Sequence, residues 1–281
     1  MDLEIGNFEG WELIDSGGER KLERFGAHVL DRPCPQAIWP QQRPERWRDA
    51  AAEFQRGEGG QGEWTRARGA PEAWPAAWGE IRFEVRLTGF GNVGVFPEHA
   101  AHWPWMQELL RGRPGAGVLN LFAYTGGASL ACAAAGAVVT HVDSARSVNG
   151  WAADNASLSA PIAGAIRYIA EDAAKFVKRE ARRGRRYDGI IVDPPTFGRG
   201  AQGEVWKIER DLWPLVAACA ELLAEAPLFA VLTAHSPGVT PRVLGAALDA
   251  LGRRGRLEHG EMLLSGEGPA VPAGAYARVA F

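Results

Sequence analysis

The sequence predicts an α/β protein: a mostly parallel sheet covered by helices on both faces, preceded by a small β-rich module. Two observations carry this. From Gly117 onward, short apolar strand-like runs alternate with helical runs, the rhythm of right-handed βαβ crossovers in a buried parallel sheet. Before position 114 the chain instead shows short strands punctuated by glycine and proline, and it holds eight of the eleven tryptophans there. A chain of 281 residues suits one large or two modest domains. Three segments are expected: a β-rich module over 1–80, a connecting strand and helix over 81–116 that close over a bound ligand, and the main sheet domain over 117–281.

Within the first segment, the stretch from Trp11, the Ser16-Gly17-Gly18 turn and a strand-like run over 21–30 suggest a hairpin. Prolines after Asp31 end it, since they remove ladder donors. A short helix is expected over 43–56 and a flexible loop over 57–62 (GEGGQG). Residues 81–88 alternate apolar and polar, as a half-buried strand does. The tryptophans read as filling for a small core; alternatively Trp103 and Trp105 form one wall of a ligand cleft.

In the main domain, strands are expected over 118–122, 138–142, 166–170, 188–192 and 228–233. Helices fall over 127–135, 145–159, 173–183, 208–224 and 241–251, and a strand pair over 256–264 and 275–281 closes the domain. In open sheets of this kind ligands bind outside the carboxyl ends of the strands, so the loops after each strand are where chemistry belongs.

The net charge of −3 gives no global attraction for nucleic acid or an anionic membrane. Residues 1–113 carry a net −4 and residues 114–281 a net +1, with basic runs at 178–186 and 253–256. Any nucleic-acid contact would therefore be local. Three cysteines (Cys34, Cys132, Cys219) without a CxxC pair argue against a disulfide framework or a structural zinc site, and no metal is expected. No basic, apolar leader opens the chain and no uncharged apolar run reaches membrane-spanning length, so a cytoplasmic protein is expected, away from the membrane.

The loop after the first main-domain strand reads Phe122-Ala-Tyr-Thr-Gly126-Gly127, in which glycines let the backbone approach a ligand. It is neither GxGxxG nor a P-loop. Asp143 ends the next strand, where a carboxylate can accept bonds from ribose hydroxyls. Glu171-Asp172-Ala173 ends the third and Asp193-Pro194-Pro195-Thr196-Phe197 the fourth. Any one of these acids can be a helix cap; three in register at successive strand ends point to a site.

The segments NLFAYTGGASLACAAAGA, THVDSARSVNGWAADN, EDAAKFVKRE and YDGIIVDPPTFGRGAQGEVWKIERDLWPL resemble the bacterial methyltransferases related to the large-subunit ribosomal RNA cytosine-C5 and guanine-N7 enzymes. The resemblance covers Leu87 to about Gly238. It implies a Rossmann-like class I methyltransferase fold of seven strands, the last antiparallel, with S-adenosylmethionine as cofactor and S-adenosylhomocysteine as product. It implies that the Tyr124–Gly127 loop, with Thr125 and Gly126, lies against the methionine part and that Asp143 takes the ribose, with Phe122, Ala123, Ser144 and Asn155 also at the cofactor. Asp172 and Ala173 then face the adenine, while Asp193 and Pro194 lie near the transferable methyl. Upstream, the stretch from Thr88 to His99 resembles a segment that closes over the cofactor's amino-acid end, and brings in Phe96 and Glu98. His99 and Ala100 stand where the family has a Gln–Arg pair.

Methyl transfer is an in-line displacement that depends on holding nucleophile, methyl and sulfur in line. Asp193, Pro194 and Pro195 form a stiff extended loop suited to a planar acceptor. Phe197 can stack on its ring, and His235 is a candidate base. Cytosine-C5 enzymes need a thiolate nucleophile, yet Thr196 and Ala234 stand at the two places where it occurs. A nitrogen or oxygen acceptor is therefore favoured. The first expectation is a base in ribosomal or other structured RNA. The second is a small planar N- or O-acceptor, and a cofactor-binding protein without catalysis is the third. A homodimer is compatible with all of them.

Overall fold

The computed structural model describes all residues except 7, 58–59, 160–161 and 201–202. Contacts divide the chain into two units, Glu4–Glu98 with Leu263–Pro272, and Met1–Leu3 with His99–Met262 and Ala273–Phe281.

After an edge strand, β1 (Leu3–Ile5), the first unit contains a five-stranded sheet in the order β2 (Trp11–Gly17), β3 (Arg20–Phe25), β4 (His28–Pro33), β5 (Ala52–Arg56), β6 (Gly62–Arg66). A separate ribbon pairs β7 (Ala73–Trp78) with β8 (Ile81–Arg86). The strand expected over 21–30 is two strands, because the chain turns at Gly26 with φ +55. The helix expected over 43–56 is a 3-10 turn, Pro44–Asp49, followed by β5, which pairs with β4 and β6. Tertiary pairing overrides the weak local helical pattern there. Part of the loop expected over 57–62 lies outside the described residues. The strand expected at 81–88 pairs with β7 inside this unit.

Two buried acids organise this unit. Asp15 accepts from the backbone N–H groups of Ser16, Gln42 and Arg43 and from Trp47 Nε1. Glu23, fully buried, meets Arg32, Lys21 and Trp11 Nε1. Burial alone would raise its carboxyl, but these cations hold it below its ordinary value. The Nε1 atoms of Trp39, Trp64 and Trp74 donate to backbone carbonyls. Tryptophan thus fills this core with its polar edge satisfied.

The second unit follows the predicted alternation. Helix α1 (Trp103–Leu110) precedes β9 (Gly117–Leu121), α2 (Gly127–Ala134), β10 (Val138–Asp143), α3 (Arg146–Leu158), β11 (Ile166–Ala170), α4 (Ala173–Arg182) and β12 (Gly189–Val192). A short ribbon of β13 (Phe197–Arg199) and β14 (Val205–Lys207) leads to α5 (Ile208–Cys219), β15 (Phe229–Ala234), α6 (Pro241–Asp249), β16 (Arg256–Leu264) and β17 (Val271–Ala280). The sheet order is β1-β16-β17-β15-β12-β9-β10-β11. Strands β9 to β12 and β15 run parallel and β17 runs antiparallel to β15. The sheet has eight strands rather than seven because β1 adds to the edge beyond β16.

Leu119, Leu121, Val142, Ile190 and Leu232 pack against α4, α5 and α6. The alternate side chains Asn120 and His141 point the other way, to α2. Trp103 is buried, and Trp105 packs edge-on against Phe229 under the Arg278 guanidinium. Both therefore serve as packing in this unit. No helix of the described residues is long and apolar enough to cross a membrane.

Under the loop after β9 runs a buried polar chain. Asn120 Nδ2 donates to Ser129 Oγ (2.9 Å), which lies 3.0 Å from His141 Nδ1. Burial pushes the His141 imidazole down to about 4, so it is neutral in the fold. The unfolded chain regains a proton near pH 6.5, so the stability from this neutral histidine is present above 6.5 and lost as pH falls towards 4. Urea unfolding of wild type and His141→Gln should show a stability difference that shrinks by on the order of 3 kcal/mol between pH 7 and pH 4. A difference independent of pH would remove this assignment.

Candidate active site

The middle of the five parallel strands is β9, with β10 on one side and β12 on the other. The chain leaves β9 for α2 on one face and leaves β12 for α5 on the other. This divergence opens a crevice at the strand carboxyl ends, where open α/β sheets bind ligands.

The loop after β9 is held in an unusual conformation. Phe122 and Tyr124 both have left-handed backbone, φ +55 and +49, which costs of order 1–3 kcal/mol per non-glycine residue unless its surroundings enforce it. Gly126, at φ +92, opens α2, and a Cβ there would lie 3.4 Å from that of Ala152. Asp143, at the end of β10, enforces the loop: its Oδ2 accepts from Tyr124 N (3.0 Å) and its Oδ1 from Ala145 N (2.9 Å). Asn155, fully buried, donates from Nδ2 to the Thr125 carbonyl (2.9 Å). Thr125 is itself buried, and Ala123 N donates to the Val142 carbonyl. Asn155 and Thr125 therefore brace the loop from behind. Burial lifts the Asp143 carboxyl above its ordinary value, against the two N–H groups that pull it down.

In front of this loop is a cleft. Its floor is Phe122 with Asp143 and Ser144 from the end of β10, and Glu171, Asp172 and Ala173 from the end of β11. Its far wall is Pro195, residues 198–200 of the ribbon and Trp206. Asp172 caps α4 by accepting from Lys175 N (2.9 Å), so the capping and cleft-lining readings both hold. Trp206 is buried, donates from Nε1 to the Pro195 carbonyl (2.7 Å), and meets the Phe122 ring at 4.9 Å. Strand-end carboxylates for a ribose beside apolar walls for a flat purine fit the adenosine part of the expected cofactor.

The other chemical centre is Asp193, just past β12. Thr233 Oγ1 donates to its Oδ1 (2.6 Å), His99 Nε2 lies 3.4 Å from Oδ2, and His235 Nδ1 lies 3.9 Å from Oδ1. The two imidazoles are 5.5 Å apart. Pro194 is buried and Pro195 exposed. Phe197 is 50% exposed on β13. Thr196 Oγ1 is 2.7 Å from Ser236 Oγ.

Asp143, Ser144, Asp172, Ala173 and Phe122 thus share one cleft, while Asp193 and His235 form a second group beside it. Phe96 and Glu98 belong to the first unit, with Glu98 buried and Phe96 half-buried. Sequence reasoning did not bring His99 and Thr233 to Asp193 or residues 198–200 to the cleft wall. His99 carried a signal, as the residue replacing the family's Gln, and Trp206 lies in the polar, glycine-rich loop after Asp193-Pro194-Pro195 that reads in sequence as a substrate-facing lid. The basic run at 178–186 is partly structural, since Arg179 pairs with Glu171, and Arg183 with Glu180 (3.2 Å).

Among proteins of known type, the family of S-adenosylmethionine-dependent methyltransferases matches residues 51–244. The crystal structure of an S-adenosylmethionine-dependent methyltransferase from Agrobacterium tumefaciens superposes with a TM-score of 0.94 at 38% identity, covering 100% of this chain and 93% of that one. A protein crystallised in complex with S-adenosylhomocysteine shares the fold at a TM-score of 0.74 and 18% identity, over 97% of this chain and 76% of that one. Ribosomal RNA large subunit methyltransferase K/L of Shewanella frigidimarina is 31% identical over 145 residues, 51% of this chain. That match spans 20% of the relative's length, so the chain corresponds to about a fifth of it.

Two expected outcomes test the cleft. Asp143→Ala should weaken S-adenosylmethionine binding at least tenfold by calorimetry, since charge-assisted bonds are worth ~1.5–3 kcal/mol each. It should also lower stability, because Tyr124 loses the bond that enforces its backbone. Unchanged affinity in a folded variant would remove Asp143 from the cofactor. At Gly198 a Cβ would meet Pro195 and Trp206 at ordinary contact distances of 3.5 and 3.7 Å. Gly198→Ala should therefore bind cofactor normally, while Gly198→Leu fills the cleft and binds at least tenfold more weakly. Equal affinity in both would mean that the ribbon is no wall of the cofactor site.

Proposed function

Because the chain belongs to the S-adenosylmethionine-dependent methyltransferase family, and is such an enzyme, we propose that it methylates a nitrogen (or oxygen) of a base in ribosomal or other structured RNA. The observation that carries the acceptor chemistry is the setting of Asp193. A carboxylate at the mouth of the crevice, fixed by Thr233 and flanked by His99 and His235, suits an acceptor that must lose a proton. The names of the ribosomal RNA relatives support the RNA assignment.

When bound, S-adenosylmethionine supplies an electrophilic methyl on a sulfonium. We assign its ribose to Asp143 and its adenine to the Phe122, Ala173 and Trp206 side of the cleft. On the acceptor side, Asp193 accepts an N–H or O–H of the planar ring and so turns the lone pair towards the methyl. Pro194 and Pro195 keep that loop extended, and Phe197 supplies an exposed aromatic face. His235, 36% exposed, gives the released proton a route to solvent.

A thiolate mechanism has little to support it. Cys132 and Cys219 are buried in the sheet unit, and burial pushes both thiols up to about 12. Cys34 is buried in the first unit with its thiol also raised by burial. The alternative reading, a small planar N- or O-acceptor, is favoured by the net charge of −4 on residues 1–113. Salt-dependent binding of ribosomal RNA separates the two.

Asp193→Asn should lower turnover by about 10²–10⁴ with cofactor affinity within twofold of wild type; near-normal turnover would make Asp193 structural. Replacing Cys34, Cys132 and Cys219 together with alanine should keep substantial activity, with stability losses per site below the ~2–5 kcal/mol of larger core truncations. An acceptor bearing 5-fluoropyrimidine should form no covalent adduct. A trapped adduct, together with an inactive but folded triple variant, would restore carbon methylation.

A further inference from the structure

The ribbon of β13 and β14 is two-faced. Its register pairs Phe197 with Lys207, Gly198 with Trp206 and Arg199 with Val205. Side chains alternate across a ribbon, so the middle pair points to one face and the outer pairs to the other. The inner face is Gly198 and Trp206: Trp206 is 8% exposed, is bonded to the Pro195 carbonyl, and walls the cofactor cleft. The outer face is Phe197, 50% exposed, and Val205, 42% exposed, with Lys207 also exposed and Arg199 at the rim, where it is exposed and also borders the cleft. The Arg199 guanidinium lies 6.0 Å from the Phe197 ring. Neither Arg199 nor Lys207 makes an ion pair among the described residues, although the run beside them on α4 does.

An exposed aromatic ring between two cations outside any ion pair is the chemistry that recognises an unpaired stretch of RNA. The ring stacks on a splayed base and the cations meet the flanking phosphates. The ribbon is also anchored rather than loose. Lys175 of α4 contacts Glu204, and Arg210 of α5 donates to the Val205 carbonyl.

We propose that the outer face of this ribbon is the docking surface for a single-stranded RNA segment flanking the target base. One two-stranded element would then read the acceptor on one side and close over the cofactor on the other. This rests on the reading that the acceptor is RNA. Phe197 is the stacking platform, and Arg199 and Lys207 take phosphates on either side of it.

The test is filter binding of deproteinised ribosomal RNA over a range of salt, beside calorimetry with S-adenosylhomocysteine as a check on fold and cofactor site. Phe197→Ala should weaken RNA binding roughly ten- to hundredfold, with Phe197→Trp close to wild type and cofactor affinity kept within twofold by both. Arg199→Gln combined with Lys207→Gln should lower the slope of log affinity against log salt by about 1.4, two phosphates' worth on a single strand. If wild type binds RNA and the variants match it in affinity and slope, the ribbon surface is overturned while the RNA reading stands. If wild type shows no salt-dependent RNA binding, the RNA reading fails and takes the ribbon proposal with it.

Discussion

The Asp143 carboxylate holds two backbone N–H groups at once, and the geometry of the cleft at the strand ends depends on it. Tyr124 and Phe122 sit in left-handed backbone that a non-glycine residue leaves when nothing holds it there. The bond from Tyr124 N to Asp143 supplies part of that hold, and the Asn155 bond to the Thr125 carbonyl another. Beneath, Asn120, Ser129 and His141 join β9, α2 and β10 through buried polar contacts. The contacts among these three side chains are strengthened by the low-dielectric interior, while His141 Nε2 is buried without a hydrogen-bond partner. These bonds hold the loop from within the chain, which reduces the ordering cost of binding.

Two aspartates at successive strand ends lie in different surroundings. Asp143 is buried and engaged by backbone dipoles, a setting for directional acceptance of hydroxyl hydrogen bonds. Asp193 is only partly buried and faces a hydroxyl and two imidazoles, groups that can exchange protons. Different environments separate the roles of like carboxylates. The ribbon after β12 connects the two centres, since it starts at the Pro195 corner beside Asp193 and returns as the wall opposite Asp143.

Much of this was legible along the chain. Alternation of apolar runs with helical ones predicted each parallel strand of the main unit to within a residue or two, because strands covered by helices are mostly apolar. The acids at strand ends were legible for the same reason: the sheet's topology turns a position in sequence into a position at its carboxyl edge. The three-stranded meander around Gly26 was not, since its turn was read as the middle of one strand. Nor was β5, whose residues carry a pattern compatible with helix and adopt a strand only by pairing with β4 and β6.

By itself, then, the sequence determined the α/β class, the crossover order, the glycine loop and the register of Asp143, Asp172 and Asp193. All of these follow from local periodicity and from short spacings within single βα units. Tertiary structure alone decided that His99 and Thr233 meet Asp193, that Asn155 braces the loop from behind, and that Trp206 closes the cleft. Those contacts join segments remote in sequence, and strands of three residues are too short to leave a periodic signal. Their positions follow from how the helices and sheet pack, which no local pattern encodes.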